Sequence, residues 1–449
     1  MAIDRRSMLG ISAGGAAGSL FATPVRATPQ PLGSLGLDVT HFGVNPGSPD
    51  DQSDALQRAI DASAAARVPL WLPAGSYIVA DLVLPSGAQL YGIRGATRLI
   101  LGSGAAIVAA SRADQVTLQG LVFDGRAHFL PDGRGLISLR ETRGVRILDC
   151  YVQEAGGNGI VLSGCEGEIA HTTVIGAQNA AIFANDSRGL VISQNTILTA
   201  GNNGMLGWRS ALGDDGTQVL ANRIENVAAA AGGSGQNGNG INIFRAANVI
   251  VADNRIKQCA FSAVRGNSAS NLHIRGNSVS DLGEVALYAE FGFEGAVISG
   301  NSVERAATGI SITNFNDGGR LAVCQGNLLR NMSRGNTKIG QGVGISVEAD
   351  AAVTGNVIEG APLAGIIVGW GQYMRDVTVT GNVVRVAPIG IGVSVAPGAG
   401  SAVVAHNLIA GSTAGAIVGM DRERTITADL SRAEATQHAQ ITVSGNRVR

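Results

Sequence analysis

The stretch ISGNSVERAATGISI (residues 298–312) contains both halves of a unit that recurs along most of the chain. The first half reads apolar, two residues, Asn, one residue, apolar. The second half reads Gly-Ile within a run of alternating apolar residues. Self-similarity at a nearly regular spacing is typical of solenoid proteins. The Asn of the first half recurs at Asn195, Asn222, Asn254, Asn277, Asn301, Asn327, Asn356, Asn382, Asn407 and Asn446.

Each half of the unit predicts a short strand, because alternating apolar residues turn one face of a strand inward. The unit contains no helical segment, so successive units must stack strand on strand, with Gly and Asn at the corners. An inward Asn repeated at one position can form a ladder of amide hydrogen bonds. Crossovers between parallel strands are right-handed in nearly all cases. The sequence therefore predicts an all-β, right-handed parallel β-helix of about a dozen coils.

The composition agrees with many short strands joined by tight turns. The 449 residues include 64 Gly, 45% are hydrophobic and only 15% are charged, which is too apolar for disorder and too Gly-rich for a helical protein. A net charge of −1 with scattered basic residues argues against nucleic acid as a partner. Cys150, Cys259 and Cys324 fall at core positions of the repeat. We therefore interpret these three and Cys165 as small apolar residues.

The N-terminus predicts an export signal over residues 1–27. The pair Arg5-Arg6 precedes a mildly apolar run and a small-residue cleavage site, as in twin-arginine signals; an ordinary secretory signal is the alternative. Either reading predicts an exported protein, with the periplasm as the expected location. The twin-arginine export machinery would be a partner, and no stable membrane insertion would follow signal cleavage.

The rest of the chain divides into three parts. Residues 28–75 predict an N-terminal cap with an amphipathic helix, whose N-cap would be Ser53. Residues 76–428 form the predicted β-helix, and residues 429–449 a C-terminal cap with a last strand. The face expected to cover the first coil comprises Leu56, Ala59, Ile60 and Ser63.

The stretch PGSPDDQSDALQRAIDASAAARVPLWLPAGSYIVADLVLPSGAQLYG (residues 46–92) resembles the opening of pectate-lyase-type β-helix modules. With the Asn repeats, the chain resembles the pectin-lyase-like superfamily. With the Arg pair, it most resembles a bacterial family of twin-arginine-translocated β-helix repeat proteins without established activity. For function the resemblance implies only that many relatives cleave or epimerise acidic polysaccharides in a groove along the helix, and that others merely bind.

Three fragments are similar to catalytic motifs of pectin hydrolases. These are the Gly-Asp-Asp-Gly at residues 213–216, the Gly-Asn-Gly-Ile at 238–241 and the Arg-Ile-Lys at 255–257. In the repeat register only the second lies on the Gly-Ile strand, and there Asn239 replaces a titratable His. We expect that the three do not meet in space.

The same register predicts that the first and third residues after each inward Ile point outward. Across the middle coils these positions hold aromatic, Arg and Asn side chains, which suit sugar rings, carboxylates and hydroxyls. A solvated face without a ligand is the alternative. The candidate catalytic residues are Glu290, Arg265 and Asp186. The candidate substrate-binding residues are Asn203, Trp208, Arg209, Asn239, Asn242, Phe244, Arg245 and Tyr288.

We therefore predict an exported β-helix that binds an acidic polysaccharide on its middle coils. It would also cleave or epimerise the chain as a lyase, hydrolase or epimerase; alternatively, it is a non-catalytic envelope protein that binds glycan or acts as a scaffold. Excursions at residues 123–135, with His128, and at 233–240 would wall the groove. No metal site and no cofactor are evident, and no motif supports calcium.

Overall fold

The computed structural model describes residues 36–233, 235–334, 341–432 and 438–449. The predicted signal at 1–27 and the first residues of the predicted cap lie outside this part. Within it the chain winds as a right-handed parallel β-helix of about 14 turns. The predicted fold is confirmed, and the number of turns is close to the predicted dozen.

Sheet 1 holds the strands that precede the Asn corner, and its 16 strands are all parallel to their neighbours. The strands are Leu37–Asp38, Leu70–Trp71, Gln89–Tyr91, Thr117–Gln119, Val145–Leu148, Gly167–Ala170, Val191–Ser193, Gln218–Leu220, Ile250–Ala252, Leu272–Arg275, Glu294–Ser299, Arg320–Gln325, Ala349–Thr354, Arg375–Thr380, Ala402–Ala405 and Ile441–Ser444.

Sheet 2 follows the Asn corner. Its strands are Gly75–Val79, Thr97–Leu101, Val122–Asp124, Tyr151–Gln153, Thr173–Ala177, Thr196–Ala200, Arg223–Val227, Arg255–Cys259, the first halves of Ser278–Glu290 and Ser302–Ile312, Leu328–Arg330, Val357–Glu359, Val383–Arg385, Leu408–Ala410 and Arg447–Val448.

Sheet 3 contains the Gly-Ile strands. Because two long strands turn the corner between sheets 2 and 3, these sheets join into a single sheet of 28 strands. The strands of sheet 3 are Leu82–Val83, Val108–Ser111, Gly135–Arg140, Asn158–Ser163, Ala180–Asn185, Asn203–Asp214, Asn239–Ala247, Val264–Asn267, the second halves of Ser278–Glu290 and Ser302–Ile312, Val343–Val347, Ala364–Val368, Ile389–Ser394, Gly415–Asp421 and Arg424–Asp429.

The predicted amide ladder is confirmed and runs without a break through all ten Asn residues. Each side-chain amide except that of the last, Asn446, donates to the Oδ1 of the next Asn at 2.9–3.0 Å, and each also donates to a backbone carbonyl in the preceding coil. Upstream, Thr172 and Cys150 occupy the same slot, and the backbone amide of Thr172 donates to Asn195 Oδ1 at 2.9 Å. The ladder thus provides hydrogen-bond partners for backbone groups at the corner that strand pairing leaves without one.

The interior is one continuous apolar core inside the three sheets, with Ile, Val, Leu and Ala from every coil. All four Cys are buried and free, as the repeat predicts. Burial raises the pKa of the Cys150 thiol to about 12, so it behaves as a small apolar group.

The N-terminal end is covered by the predicted helix, which spans Ser53–Ala66 and buries all four residues of the expected face. The expectation that Ser53 caps it is wrong. The N-cap is Gln52, and Ser53 is the first helical residue. Asp51 instead accepts the Ser53 amide at 2.8 Å, and the Ser53 hydroxyl accepts the Ala80 amide at 2.9 Å, which ties the helix to the first coil.

The C-terminal end of sheet 3 finishes in an antiparallel hairpin, Gly415–Asp421 with Arg424–Asp429. Asp429 accepts the backbone amides of Ala416 and Ile417 at 2.9 and 3.2 Å. Two 3-10 turns, Val39–Phe42 and Phe315–Asp317, complete the described helical structure. The predicted cap region at 429–449 is described except for residues 433–437.

Candidate functional site

The outward face of sheet 3 presents two parallel columns of side chains, and the register predicted for them is confirmed. In the first column, cross-strand partners follow one another as Ser138, Val161, Phe183, Leu206, Asn242, Arg265, Tyr288, Ser311 and Ser346. In the second column they follow as Arg140, Ser163, Asn185, Trp208, Phe244, Asn267 and Glu290.

An open cleft of about 420 Å³ lies at the N-terminal end of these columns. Its floor is made of small side chains, including Ala109 and Ser138, which leave room above the sheet. The excursion at 123–135 stands over it, and residues Asp132 to Arg134 line it, as expected for a wall. Arg140 and Ser163 line the other side. His128 is exposed in the same loop and does not line the cleft.

An aromatic cluster follows directly along the columns. Phe183 and Trp208 pack edge to face with ring centroids 5.6 Å apart, and Trp208 and Phe244 with centroids 5.8 Å apart. All three rings are half-buried. The Arg245 guanidinium lies 4.6 Å from the Phe244 ring centroid and donates to the Ser210 carbonyl at 3.0 Å. The rings therefore pack mainly on one another, and each leaves part of its surface to solvent.

A buried ionic cluster lies beyond the aromatic rings, centred on Arg265. Its Nε is 2.6 Å from Glu290 Oε1, and its Nη1 is 3.7 Å from Glu284 Oε2. The Asn267 amide also donates to Glu290 Oε1 at 3.2 Å. The Arg265 guanidinium lies 5.4 Å from the Tyr288 ring centroid. The adjacency of Arg265 and Glu290 on neighbouring coils agrees with the sequence prediction.

Burial shifts the proton equilibria of this cluster. Glu290 is 2% exposed, Glu284 6%, Arg265 8% and Tyr288 9%. Desolvation raises the pKa of Glu284, and the Arg265 charge only partly opposes it. Desolvation and the Glu290 carboxylate raise the pKa of the Tyr288 hydroxyl. Arg265 Nη1 and Glu284 Oε2 are buried without a hydrogen-bond partner, so this pair keeps unused donor and acceptor capacity.

The second excursion covers this cluster rather than walling an open groove. Gly235 adopts φ +131°, and a Cβ there would overlap the Arg265 guanidinium. The Gln236 carbonyl accepts from the amides of Asn203 and Asn242 at 3.1 and 3.4 Å. The absence of a side chain at Gly235 thus lets the loop lie directly on the ionic cluster.

Asn203 and Asn239 do not point into a groove, contrary to expectation. They are 1% and 0% exposed and form a second internal ladder at the corner where sheet 3 begins. Asn203 Oδ1 accepts the Asn239 backbone amide at 3.2 Å, and Asn239 Oδ1 accepts the Ser262 amide at 3.3 Å. Their amides serve the backbone because the corner leaves its peptide groups without strand partners.

Arg209 also turns away from the cleft. The strand Asn203–Asp214 contains an irregularity between Trp208 and Gly213 that redirects the chain. Arg209 Nη1 donates to the Ser187 carbonyl at 3.3 Å and lies 3.9 Å from Asp215 Oδ2. Arg209 is therefore part of the corner between sheets 3 and 1.

Asp186 holds a turn. Its Oδ1 accepts the backbone amide and hydroxyl of Ser210 at 2.8 and 3.0 Å, and these hydrogen bonds lower its pKa. Four coil steps separate it from Glu290, or about 19 Å at the usual strand spacing. Asp186 and Glu290 are therefore too far apart to act on the same bond of a substrate.

The three motif-like fragments lie apart, as predicted. Asp215 is buried at the corner after sheet 3, Asn239 at the corner before it, and Arg255 to Lys257 on sheet 2. Sequence reasoning missed Glu284, Asp132 and Arg134 as site residues. The excursion at 123–135 signalled the latter two. Nothing in the sequence indicated Glu284, because it comes before the positions of its strand that were predicted to point outward.

Among the described residues, no three His, Cys, Asp or Glu side chains group as metal ligands. Within the same ranges, no helix is long and apolar enough to cross a membrane.

Two family models match the chain. One, described as "Right handed beta helix region", matches residues 210–384. The other, described as "Rhamnogalacturonase A/epimerase, pectate lyase-like", matches residues 37–260 and therefore includes the open cleft. No curated protein sequence matches.

Solved structures agree on the fold. The N-terminal fragment of bacteriophage phi29 gene product 12 is similar with a TM-score of 0.55 at 13% identity, over 86% of this chain and 69% of that one. The pre-mature form of that phage protein gives a TM-score of 0.50 at 13% identity, over 86% of this chain and 55% of its own. Such low identity speaks for the fold alone. The two family models identify the chain as a member of the pectin-lyase-like superfamily of right-handed parallel β-helix proteins, and the three-sheet coil agrees with them.

Proposed function

We propose that the protein binds an acidic polysaccharide along the outward face of sheet 3, with the open cleft as its main site. The observation that carries this proposal is the cleft of about 420 Å³ between the loop at Asp132 to Arg134 and the second column at Arg140. Its volume lies within the range of ordinary ligand pockets.

The lining of the cleft suits such a ligand. Arg134 offers a guanidinium group that pairs with carboxylates, and Arg140 keeps free donors beside its contact of 3.1 Å with Glu141. Ser111 and Ser163 offer hydroxyls to sugar hydroxyls, whereas the Ser138 hydroxyl is bonded to Gly135. Beyond Ser163, the half-buried rings of Phe183 and Trp208 give a sugar chain an apolar surface on which to continue.

The family description of residues 37–260 supports the same substrate class, since its words name a rhamnogalacturonase, an epimerase and a pectate lyase. We favour binding of the polysaccharide without catalysis. Asp186 holds a turn, and Glu290 is engaged by Arg265 and Asn267 beneath a loop.

The test is calorimetric titration with polygalacturonate oligomers and with neutral oligosaccharides. We expect Ser138→Phe to fill the cleft floor and reduce affinity at least tenfold, and Arg140→Ala to reduce it about tenfold for the acidic ligand. Ser346→Phe is the matched control because it lies in the same column, far from the cleft. Equal effects of the two Phe substitutions, or equal affinity for neutral chains, would refute the proposal.

Cleavage or epimerisation at the Arg265 cluster is the second candidate. It is favoured by the raised pKa of Glu284, which suits a proton donor, and by Glu284 Oε2 and Arg265 Nη1, which form an ion pair of 3.7 Å but have no hydrogen-bond partner. Turnover of an acidic polysaccharide that is lost in Glu284→Gln and Glu290→Gln, with affinity unchanged, would establish it. If no acidic glycan releases a product, the protein only binds, and its role is that of an envelope glycan-binding or scaffold protein.

Export belongs to the proposal as well. Arg5 and Arg6 suit the twin-arginine machinery, in line with the resemblance to translocated β-helix repeat proteins. Replacing both by Lys in the full chain should leave the protein unprocessed inside the cell, whereas an ordinary secretory signal would still be processed.

A further inference from the structure

The outward face of sheet 2 carries a ladder of opposite charges that one serine interrupts. Ion pairs join Lys257 to Glu225 at 3.2 Å, Arg330 to Glu304 at 3.0 Å and Arg385 to Glu359 at 3.2 Å. The column reads Glu225, Lys257, Ser280, Glu304, Arg330, Glu359 and Arg385 on successive coils.

Ser280 leaves a gap in this ladder, and the neighbouring column has serines at the same level. Ser278 and Ser302 follow Arg255 in register. The three short side chains lie in a hollow of about 220 Å³, whose rim is formed by Arg255, Lys257, Arg305 and Arg330. Among the described residues that line it, Glu304 is the one carboxylate.

Most of the cations around the hollow already have partners. Lys257 pairs with Glu225, Arg330 with Glu304, and Arg305 with Asp281 through two contacts of 2.6 and 3.0 Å.

Arg255 is different, because within the described part of the chain it makes no ion pair. Its partner on one side is Arg223, a like charge, and on the other side Ser278. Arg223 is itself paired with Glu225 at 2.5 Å, so Arg255 is the cation of this pair that lacks a carboxylate. Like charges opposite each other on adjacent strands are unfavourable, so an anion beside Arg255 would stabilise this arrangement.

We infer that this hollow binds an oxyanion, a carboxylate or sulfate-type group, with Arg255 as its charge partner and the hydroxyls of Ser278 and Ser302 as hydrogen-bond donors, since the Ser280 hydroxyl already donates to Asp281 Oδ2 at 2.9 Å. An Arg fork and several hydroxyls match the acceptor-rich surface of such a group. The site lies on sheet 2, so it is separate from the cleft on sheet 3 and does not depend on the function proposed there.

The experiment is calorimetric titration of the full chain at low ionic strength with two probes, inorganic sulfate and digalacturonate. We expect millimolar or tighter binding of at least one probe and about tenfold weaker binding in Arg255→Ala. Arg275→Ala on sheet 1 should bind as the wild type does, since Arg275 is an equally exposed arginine without an ion pair within the described residues. A probe preference identifies the source: sulfate alone points to a sulfate or phosphate ester, and digalacturonate points to a uronate.

A pair of substitutions at Ser280 separates charge from size. Ser280→Glu puts a carboxylate into the hollow and should weaken binding at least tenfold more than Ser280→Gln, which has the same shape without charge. No binding of either probe, or equal affinities in Arg255→Ala and Arg275→Ala, would overturn the inference. The Ser138→Phe variant should leave sulfate binding unchanged, so failure here is distinguishable from failure of the cleft.

Discussion

The side-chain amide of Asn301 donates to Asn327 Oδ1 at 2.9 Å, one coil further along the solenoid, while its own Oδ1 accepts from Asn277. The same amide donates to the Ile274 carbonyl at 3.0 Å, and Asn301 Oδ1 also accepts the Asn277 backbone amide at 2.9 Å. One buried side chain thus serves three coils.

Asn301→Ala should therefore be among the most destabilising single changes in the β-helix. It removes the side-chain partner of the Ile274 carbonyl and of the buried Asn277 backbone amide, which should cost about 3–5 kcal/mol of unfolding free energy, since each such group costs about 1–3 kcal/mol. Urea unfolding followed by circular dichroism measures this. Asn446→Ala is the control, because the last member of the ladder is partly exposed and water replaces its partners. Equal losses in the two variants would contradict the role of burial.

The ladder also explains why the fold was readable from the sequence. A corner that recurs in every coil needs the same side chain at the same place. The short sequence pattern around that Asn therefore predicts how the coils stack. The inward Ile and the outward residues Arg265 and Glu290 followed from strand alternation alone.

The parts of the site that were not predictable depend on departures from the repeat. The irregularity between Trp208 and Gly213 directs the Arg209 side chain into a corner of the coil. Strand alternation with a period of two does not predict such an irregularity. Asn203 and Asn239 are the first residues of their strands, next to the corner, where their side-chain amide groups form hydrogen bonds with the backbone. The contact of Gly235 with Arg265 joins residues 30 positions apart through a loop, and nothing in the strand pattern encodes it.

Gly235→Ala tests the cover over the ionic cluster. The added Cβ overlaps the Arg265 guanidinium, so the loop must lift and expose Arg265, Glu284 and Glu290. Hydrogen exchange of the Asn239 amide, which the Asn203 side chain protects, should accelerate at least tenfold. Gly232→Ala is the control in the same loop, since Gly232 also has a positive φ, +67°, but open space around its Cβ position. Equal exchange rates in the two variants would show that overlap with Arg265 is not what moves the loop.

Asp350 should stabilise the fold in a pH-dependent way. It accepts from Arg375 at 2.8 and 2.6 Å and from Arg320 at 3.1 Å, and these contacts lower its pKa. A carboxyl with a lowered folded-state pKa contributes stability above its unfolded pKa, and that contribution is lost as the pH falls through the folded value. Asp350→Asn should therefore cost about 1–2 kcal/mol at pH 7 and nothing at strongly acidic pH. A cost that stays constant over this range would point to packing rather than charge.

Glu284 should behave in the opposite way. Burial raises its pKa above the ordinary value of 4.5, so the folded state holds the proton more tightly than the unfolded chain. Its contribution to unfolding free energy then falls as the pH rises from the unfolded pKa through the raised folded value. Glu284→Gln removes this dependence, and the variant should gain stability relative to the wild type as the pH rises from 4 to 8. Urea unfolding at a series of pH values measures the difference. Glu359→Gln, an exposed carboxylate paired with Arg385, is the control and should show no such gain. If the stability difference between wild type and Glu284→Gln ran in the reverse direction, Arg265 rather than desolvation would control this carboxyl, and Glu284 would be unsuited to donate a proton.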